Sequence, residues 1–238
     1  MADAFRITWQ SLKDLWDEFV LLIMLNVVWS LSILLMIAPL LLWGGSNPIP
    51  AIALSFLLFW PLPIISGALC FVTNQIARGK AVGWGTFAAG LRRYWAKSLG
   101  VAVINLAVIV LIISNIQFYG FILQGMWTNF ALSIWLVIGL YWLITQIYWF
   151  PMILELESEK VLEALRNALA LVIVSPAFSI AAAIILAALA VLCIVLTVPL
   201  PLFMTALLLL ISNRATRDRL VHVQKRRKAW EEEENAIE

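Results

Sequence analysis

An all-α membrane bundle of about six transmembrane helices, with amphipathic elbow helices on its cytoplasmic face, is the fold class that three observations predict. The 238 residues are 63% hydrophobic and only 13% charged, against roughly 25% charged in a soluble globular domain. Three blocks, Phe19–Ala77, Ser98–Leu154 and Asn167–Asn213, carry no charge at all, and each is long enough for two spans of about 20 residues. The remaining charges fall between these blocks and at the two ends. This leaves no room for a separate soluble core, so residues 1–213 read as one transmembrane domain. Residues 214–238 read as a basic, then acidic, cytoplasmic tail.

The opening stretch places Phe5, Trp9, Leu12, Trp16 and Phe19 at alternating spacings of four and three, opposed by Arg6, Lys13, Asp14 and Asp17. That is one stripe of an amphipathic helix over about residues 4–19, predicted to lie in the membrane interface. It lacks the compact basic start of a signal peptide, so the first span is expected to be retained. That span covers about residues 20–43 and carries a polar notch, Asn26 and Ser30, one turn apart. In hydrocarbon such groups bond a neighbouring helix, because an unpaired amide is costly there. After the uncharged connection Trp43–Pro50, a second span is predicted over about residues 51–77. Pro61 and Pro63 each remove a backbone donor, so a kink or short break belongs near them. Gly67-Ala68 then allows another helix to come close.

Beyond that span Trp84, Phe87, Leu91 and Tyr94 form an aromatic and apolar stripe, with basic residues around it. We read Trp84–Lys97 as a surface elbow whose aromatic face points towards the acyl boundary. A third span follows over about 98–115, carrying Asn105. A fourth covers about 126–154, bracketed by Trp127 and Phe130 at one end and by Tyr148, Trp149 and Phe150 at the other. A second elbow is expected after it, with Ser158 as N-cap, Glu159 in the first turn and Leu162, Leu165, Leu169 and Val172 as its apolar face. The last apolar block divides at Val198–Pro201 into spans over about 176–196 and 199–213. Trp60–Gln75 and Val198–Asn213 echo each other, each with a proline pair and a polar exit, a weak sign of internal duplication.

Six spans put both ends on one side, and the charges agree. The first, third and fifth connections have none, whereas the second and the fourth hold almost all the internal ones, and the tail adds a basic run. The positive-inside rule then makes both termini and both elbows cytoplasmic, with the chain integral to the inner (cytoplasmic) membrane. The basic residues nearest the membrane, Arg78, Lys80, Arg92, Arg93 and Lys97 with Lys225, Arg226, Arg227 and Lys228 of the tail, are candidate contacts for anionic lipid headgroups. Cys70 and Cys193 both lie in apolar runs and are expected to be small buried hydrophobes.

No catalytic constellation is present. The only histidine, His222, sits in the basic tail, and neither a metal-ligand spacing nor a phosphate-cradling glycine loop occurs. No cofactor, no metal and no enzymatic activity are expected. Nucleic acid is disfavoured as a partner, since the Glu231–Glu234 run would repel phosphate. The predicted spans also lack any ionisable residue, which argues against ion-coupled transport. Candidate helix breaks at Pro61, Pro63, Pro199 and Pro201 keep open a stand-alone transporter or channel for a small uncharged solute, bound through backbone groups.

Leu62-Pro63, Gly67-Ala68, Val72-Thr73 and Arg78-Gly79, followed by Phe87, Arg92-Arg93 and Trp95, resemble the YesL-like family of bacterial integral membrane proteins. Asn26 and Trp29 in the first span, and Phe150-Pro151 followed by acidic residues, are similar too. The resemblance covers roughly residues 16–170. It implies a non-enzymatic accessory or stabilising component of a membrane complex, with carbohydrate ABC-transporter permease subunits as the candidate partner. It brings no catalytic or binding residues with it.

Overall fold

The computed structural model describes residues 2–123, 125–196 and 200–235, and among these there is no strand. The chain begins with α1 (Ala2–Asp17), turns at Glu18 and enters α2 (Phe19–Trp43). A tight turn leads to α3 (Pro48–Leu57), and a short break to α4 (Pro61–Ala77). Pro48 and Pro61 each open a helix, where a missing N–H costs nothing because the first-turn donors have no intrahelical partner. The expected proline break is therefore real, and it falls at residues 58–60.

The next element differs from the sequence reading. Instead of a surface elbow followed by a separate span from Ser98, Trp84–Gln117 is one unbroken helix of 34 residues, α5. At about 1.5 Å per residue it extends about 51 Å, against about 30 Å of hydrocarbon. Charge is a guide to where a chain leaves a membrane, not to where a helix ends, and nothing between Lys97 and Val101 breaks a helix except one glycine. Continuous packing along α4 carries the helix through. Ala68 lies against Gly90, Phe71 stacks at 5.3 Å from Tyr94, and Gly67 meets Ser98.

After a π-helical turn (Phe118–Ile122) come α6 (Met126–Glu155), α7 (Val161–Val174) and α8 (Pro176–Leu196). A second π-helical turn (Leu200–Met204) feeds α9, which runs from Thr205 to Asn235. The predicted sixth span is thus shared between that turn and the start of α9, which continues unbroken into the charged tail. Five of the described segments are long and apolar enough to cross a membrane: Phe19–Trp43, Pro48–Ala77, Trp84–Ile122, Trp127–Glu155 and Pro176–Leu196. Pro199 lies outside the described residues, and Pro201 falls within the second π-helical turn.

At the centre, α4 packs against α2, α5, α6 and α9. Leu22 and Leu25 of α2, Leu69 and Val72 of α4, Tyr148, Trp149 and Met152 of α6, and Leu210 and Ile211 of α9 are fully buried. Polar pairs hold these helices in register. Trp29 donates to Ser66 at 2.8 Å, and Tyr148 to Ser179 at 2.9 Å. The predicted notch on α2 acts as helix glue: the Asn26 side-chain carbonyl accepts the Ala206 backbone N–H of α9 at 3.1 Å.

The surface helices carry further corrections. The stripe Phe5, Trp9, Leu12 and Trp16 on α1 is exposed, as an interfacial helix requires, but α1 also has an inner face. Ala4, Ile7, Ser11 and Leu15 are buried, and α9 packs against α1. α7 starts one residue after Lys160, so Ser158 is not its N-cap and Glu159 is outside it. Its buried stripe is Ala164, Ala168, Leu171 and Val172, whereas Leu162 is exposed. The first-elbow residues Phe87 and Tyr94, 7% and 3% exposed, face protein instead of acyl chains.

Candidate functional site

Two features stand out between the central helices: an apolar cleft within the span region and a polar lock at its charged end. The cleft, about 490 Å³, lies between α4 and α5 over a floor from α6 and α9. Leu62, Pro63, Ser66 and Gly67 form one wall, Val101, Ala102, Asn105, Leu106 and Ile109 the other, with Phe150 and Leu209 below. Leu106 and Ile109 are also exposed on the apolar outer surface of α5, so the mouth is on the side that faces lipid. Through Phe59 and Leu106 the cleft continues into a second apolar hollow of about 270 Å³ bounded by Met36, Leu40, Ile52 and Phe56. Together they form a groove along the bundle.

Towards the charged end the groove closes. Gly67 permits this: a Cβ there would come within 1.9 Å of the Ser98 hydroxyl and 2.8 Å of the Phe150 ring. The carboxamides in the cleft are used by the protein itself. Asn105 donates to Gln146 at 2.9 Å and accepts from the Trp142 indole at 3.0 Å, while Gln146 donates to the Trp142 carbonyl at 3.2 Å. This joins α5 to α6, the usual task of carboxamides in hydrocarbon.

The polar lock centres on Glu155, at the end of α6. Its carboxylate accepts from Asn74 at 2.9 Å and pairs with Arg78 at 3.0 Å and Arg217 at 3.5 Å. Asn74 also donates to Asn213 at 3.1 Å. Asn213, fully buried, donates in turn to Thr73 and to the carbonyls of Cys70 and Leu209. The two guanidinium groups cap helix ends, Arg217 on the Ala77 carbonyl of α4 at 2.6 Å and Arg78 on the Leu154 carbonyl of α6 at 3.1 Å. Cations belong there, where unpaired carbonyls gather negative charge. α4, α6 and α9 are thereby tied at one level.

A second ionic cluster surrounds Glu159, between α6 and α7. It pairs with Arg93 at 2.5 Å and with Lys97, and accepts from Tyr94 at 3.0 Å. Burial raises the Glu159 carboxyl, but hydrogen bonds from Lys97, Arg93 and Tyr94 outweigh it and hold it below its usual value.

These contacts divide the predicted headgroup ligands. Arg78, Arg93 and Lys97 are engaged by protein carboxylates, and Arg227 pairs with Glu231 at 2.8 Å. Lys80, Arg92, Lys225, Arg226 and Lys228 are exposed. Pro63 lines the cleft, whereas Pro61 only opens α4. Cys70 and Cys193 are buried free thiols. Among the described residues, no three His, Cys, Asp or Glu side chains gather as a metal site would need. The reading by residue type had passed over Gln146 and the Asn74–Asn213 pair; the signal was there, since carboxamides inside or at the exit of apolar helices are rare and need partners.

The fold and the apolar helices define an all-α polytopic membrane protein. Comparison with protein-family models, curated proteins and solved structures finds no match.

Proposed function

We propose that this chain is a non-enzymatic accessory or stabilising subunit of a membrane complex. The observation that carries the reading is the groove: it is apolar, opens sideways on the lipid-facing side of α5, runs along the bundle and closes at the charged end. Its shape suits one transmembrane helix of a partner, and the YesL-like resemblance points to a carbohydrate ABC-transporter permease as that partner. The charged end faces the cytoplasm on this reading, because the exposed basic residues of the α4–α5 connection, α5 and the tail would favour the inner side of a bacterial inner membrane.

A tryptophan at Ala102 tests it. Ala102→Trp fills the groove from a half-buried position on its α5 wall, so the variant should keep its thermal transition in mild detergent yet lose the partner that wild type co-purifies. If wild type, purified homogeneously, reproducibly brings down no partner, the proposal fails. A second reading, passage of a small uncharged solute, draws on the α3–α4 break and on the Asn105–Gln146 pair inside the cleft. Solute flux in reconstituted vesicles separates the two. Flux that wild type supports and Ala102→Trp abolishes would favour transport over docking.

A further inference from the structure

Away from the groove, at the charged end, a polar hollow of about 310 Å³ lies between the start of α8 and one face of α9. Its α9 wall is Arg219, His222 and Arg226, spaced three and four residues apart and so on the same helix face. Its other wall is Ser175, Ala177 and Phe178, with Asp3 at the rim.

The three basic groups differ in how far they are committed. Arg219 is only 9% exposed and sits 4.0 Å over the Phe178 ring. It also bonds Asp218 at 3.0 Å and reaches Asp3 at 3.5 Å. It holds α9 against α8, and its charge is largely balanced by these acids, which Arg6 pairs with as well. His222 and Arg226 are exposed, and neither pairs with any described residue. They face the hollow with donors free. Across from them the Ala177 and Phe178 backbone N–H groups are in the first turn of α8, where no carbonyl of the helix can reach them. Ser175 adds a half-buried hydroxyl. Below the hollow, towards the hydrocarbon, Ala177, Ile180 and Ile184 run down the exposed side of α8.

We propose that this hollow binds the phosphate of an anionic phospholipid of the adjacent leaflet, with an acyl chain lying along Ile180 and Ile184. Arg226 and His222 supply charge-assisted donors, Arg219 and Phe178 form the fixed wall, and the α8 amides and Ser175 complete the ring of donors. A phosphate is the chemistry that fits, because the free groups around the hollow are donors and the one acid at its rim is already paired. The apolar track distinguishes a lipid from a free phosphate ion.

Native mass spectrometry of the full chain, released from mild detergent after exposure to phosphatidylglycerol or phosphatidylcholine, tests the site. Wild type should retain phosphatidylglycerol in preference to phosphatidylcholine. Arg226→Gln with His222→Gln should lower that retention by at least about fivefold, the share of the Arg226 charge alone. Neither side chain supports the fold, so the melting transition should not move. Lys225→Gln with Lys228→Gln removes two exposed charges outside the hollow and should lower retention by less than the first pair does. Equal losses in the two double variants, or none in the first, would overturn the site. Inorganic phosphate alone, bound as tightly as the lipid and lost in the same variant, would show a free-anion site and overturn the lipid assignment.

Discussion

Glu159 shows how one residue can carry a junction. It is the only described non-glycine residue with positive φ, at 47°, a region that L-residues enter at a cost. Its carboxylate gathers Arg93, Lys97 and Tyr94 in return, fastening the α6–α7 turn to α5. Glu159→Gln should lower stability by about 1 kcal/mol at neutral pH, since the pairs are partly solvated. The sign with pH follows from the depressed carboxyl. Its stabilisation is complete above the unfolded value, about 4.5, and is lost as pH falls through the lower folded value. Melting scans should therefore show the gap between wild type and Glu159→Gln narrowing below about pH 4.5; a gap that widens in acid would contradict the cluster. At Gly67 the argument is steric. Gly67→Ala should cost about 1–3 kcal/mol by overpacking, and Ser98→Ala should recover part of it, because the tightest contact is the Ser98 hydroxyl. No recovery in the double variant would show that the Phe150 ring and the Ser98 Cβ, not the hydroxyl, are the obstacle.

At the level of the element, α5 decides what holds the region after α4. Phe87 is buried against protein and Trp84 is about half exposed. Phe87→Ala should thus destabilise by about 3–5 kcal/mol, while Trp84→Ala should change the melting transition little. Equal effects, both dependent on anionic lipid, would restore the lipid-anchored elbow. The same helix shows what could be read from the sequence and what could not. Period, length and absence of charge located α2, α6 and α8 closely, and Pro61 located the break between α3 and α4. Gly67-Ala68 correctly marked a close approach. The union of elbow and span in α5 was hidden because charge reports the membrane edge, not the helix end, and no breaker lies between them. The inner face of α1 was hidden because Ala4 and Ser11 bury little apolar area and do not stand out beside two tryptophans. The cleft could not be read at all, since it depends on which helices become neighbours. Asn74 and Asn213 were visible as polar exits of two similar segments, but their mutual bond needs α4 and α9 side by side.

For the whole molecule, the ion pairs collect at one end. Asp14 meets Arg214, Arg6 meets Asp218 and Asp3 meets Arg219, joining α1 to α9. Glu155 and Glu159 join the α4–α5 and α6–α7 connections to the same region. Residues near both ends of the chain therefore share a side with both charged connections. Single cysteines read by a membrane-impermeant thiol reagent on intact cells test this arrangement most directly, with buried Cys70 and Cys193 as silent background. Cysteines replacing Ser46 and Gln117, exposed in the α2–α3 connection and at the far end of α5, should label from outside. Those replacing Gly85, Ser158 and Asn235 should label only after the cells are opened. Labelling of any one of the last three on intact cells, or protection of Ser46 or Gln117, would contradict the bundle as described.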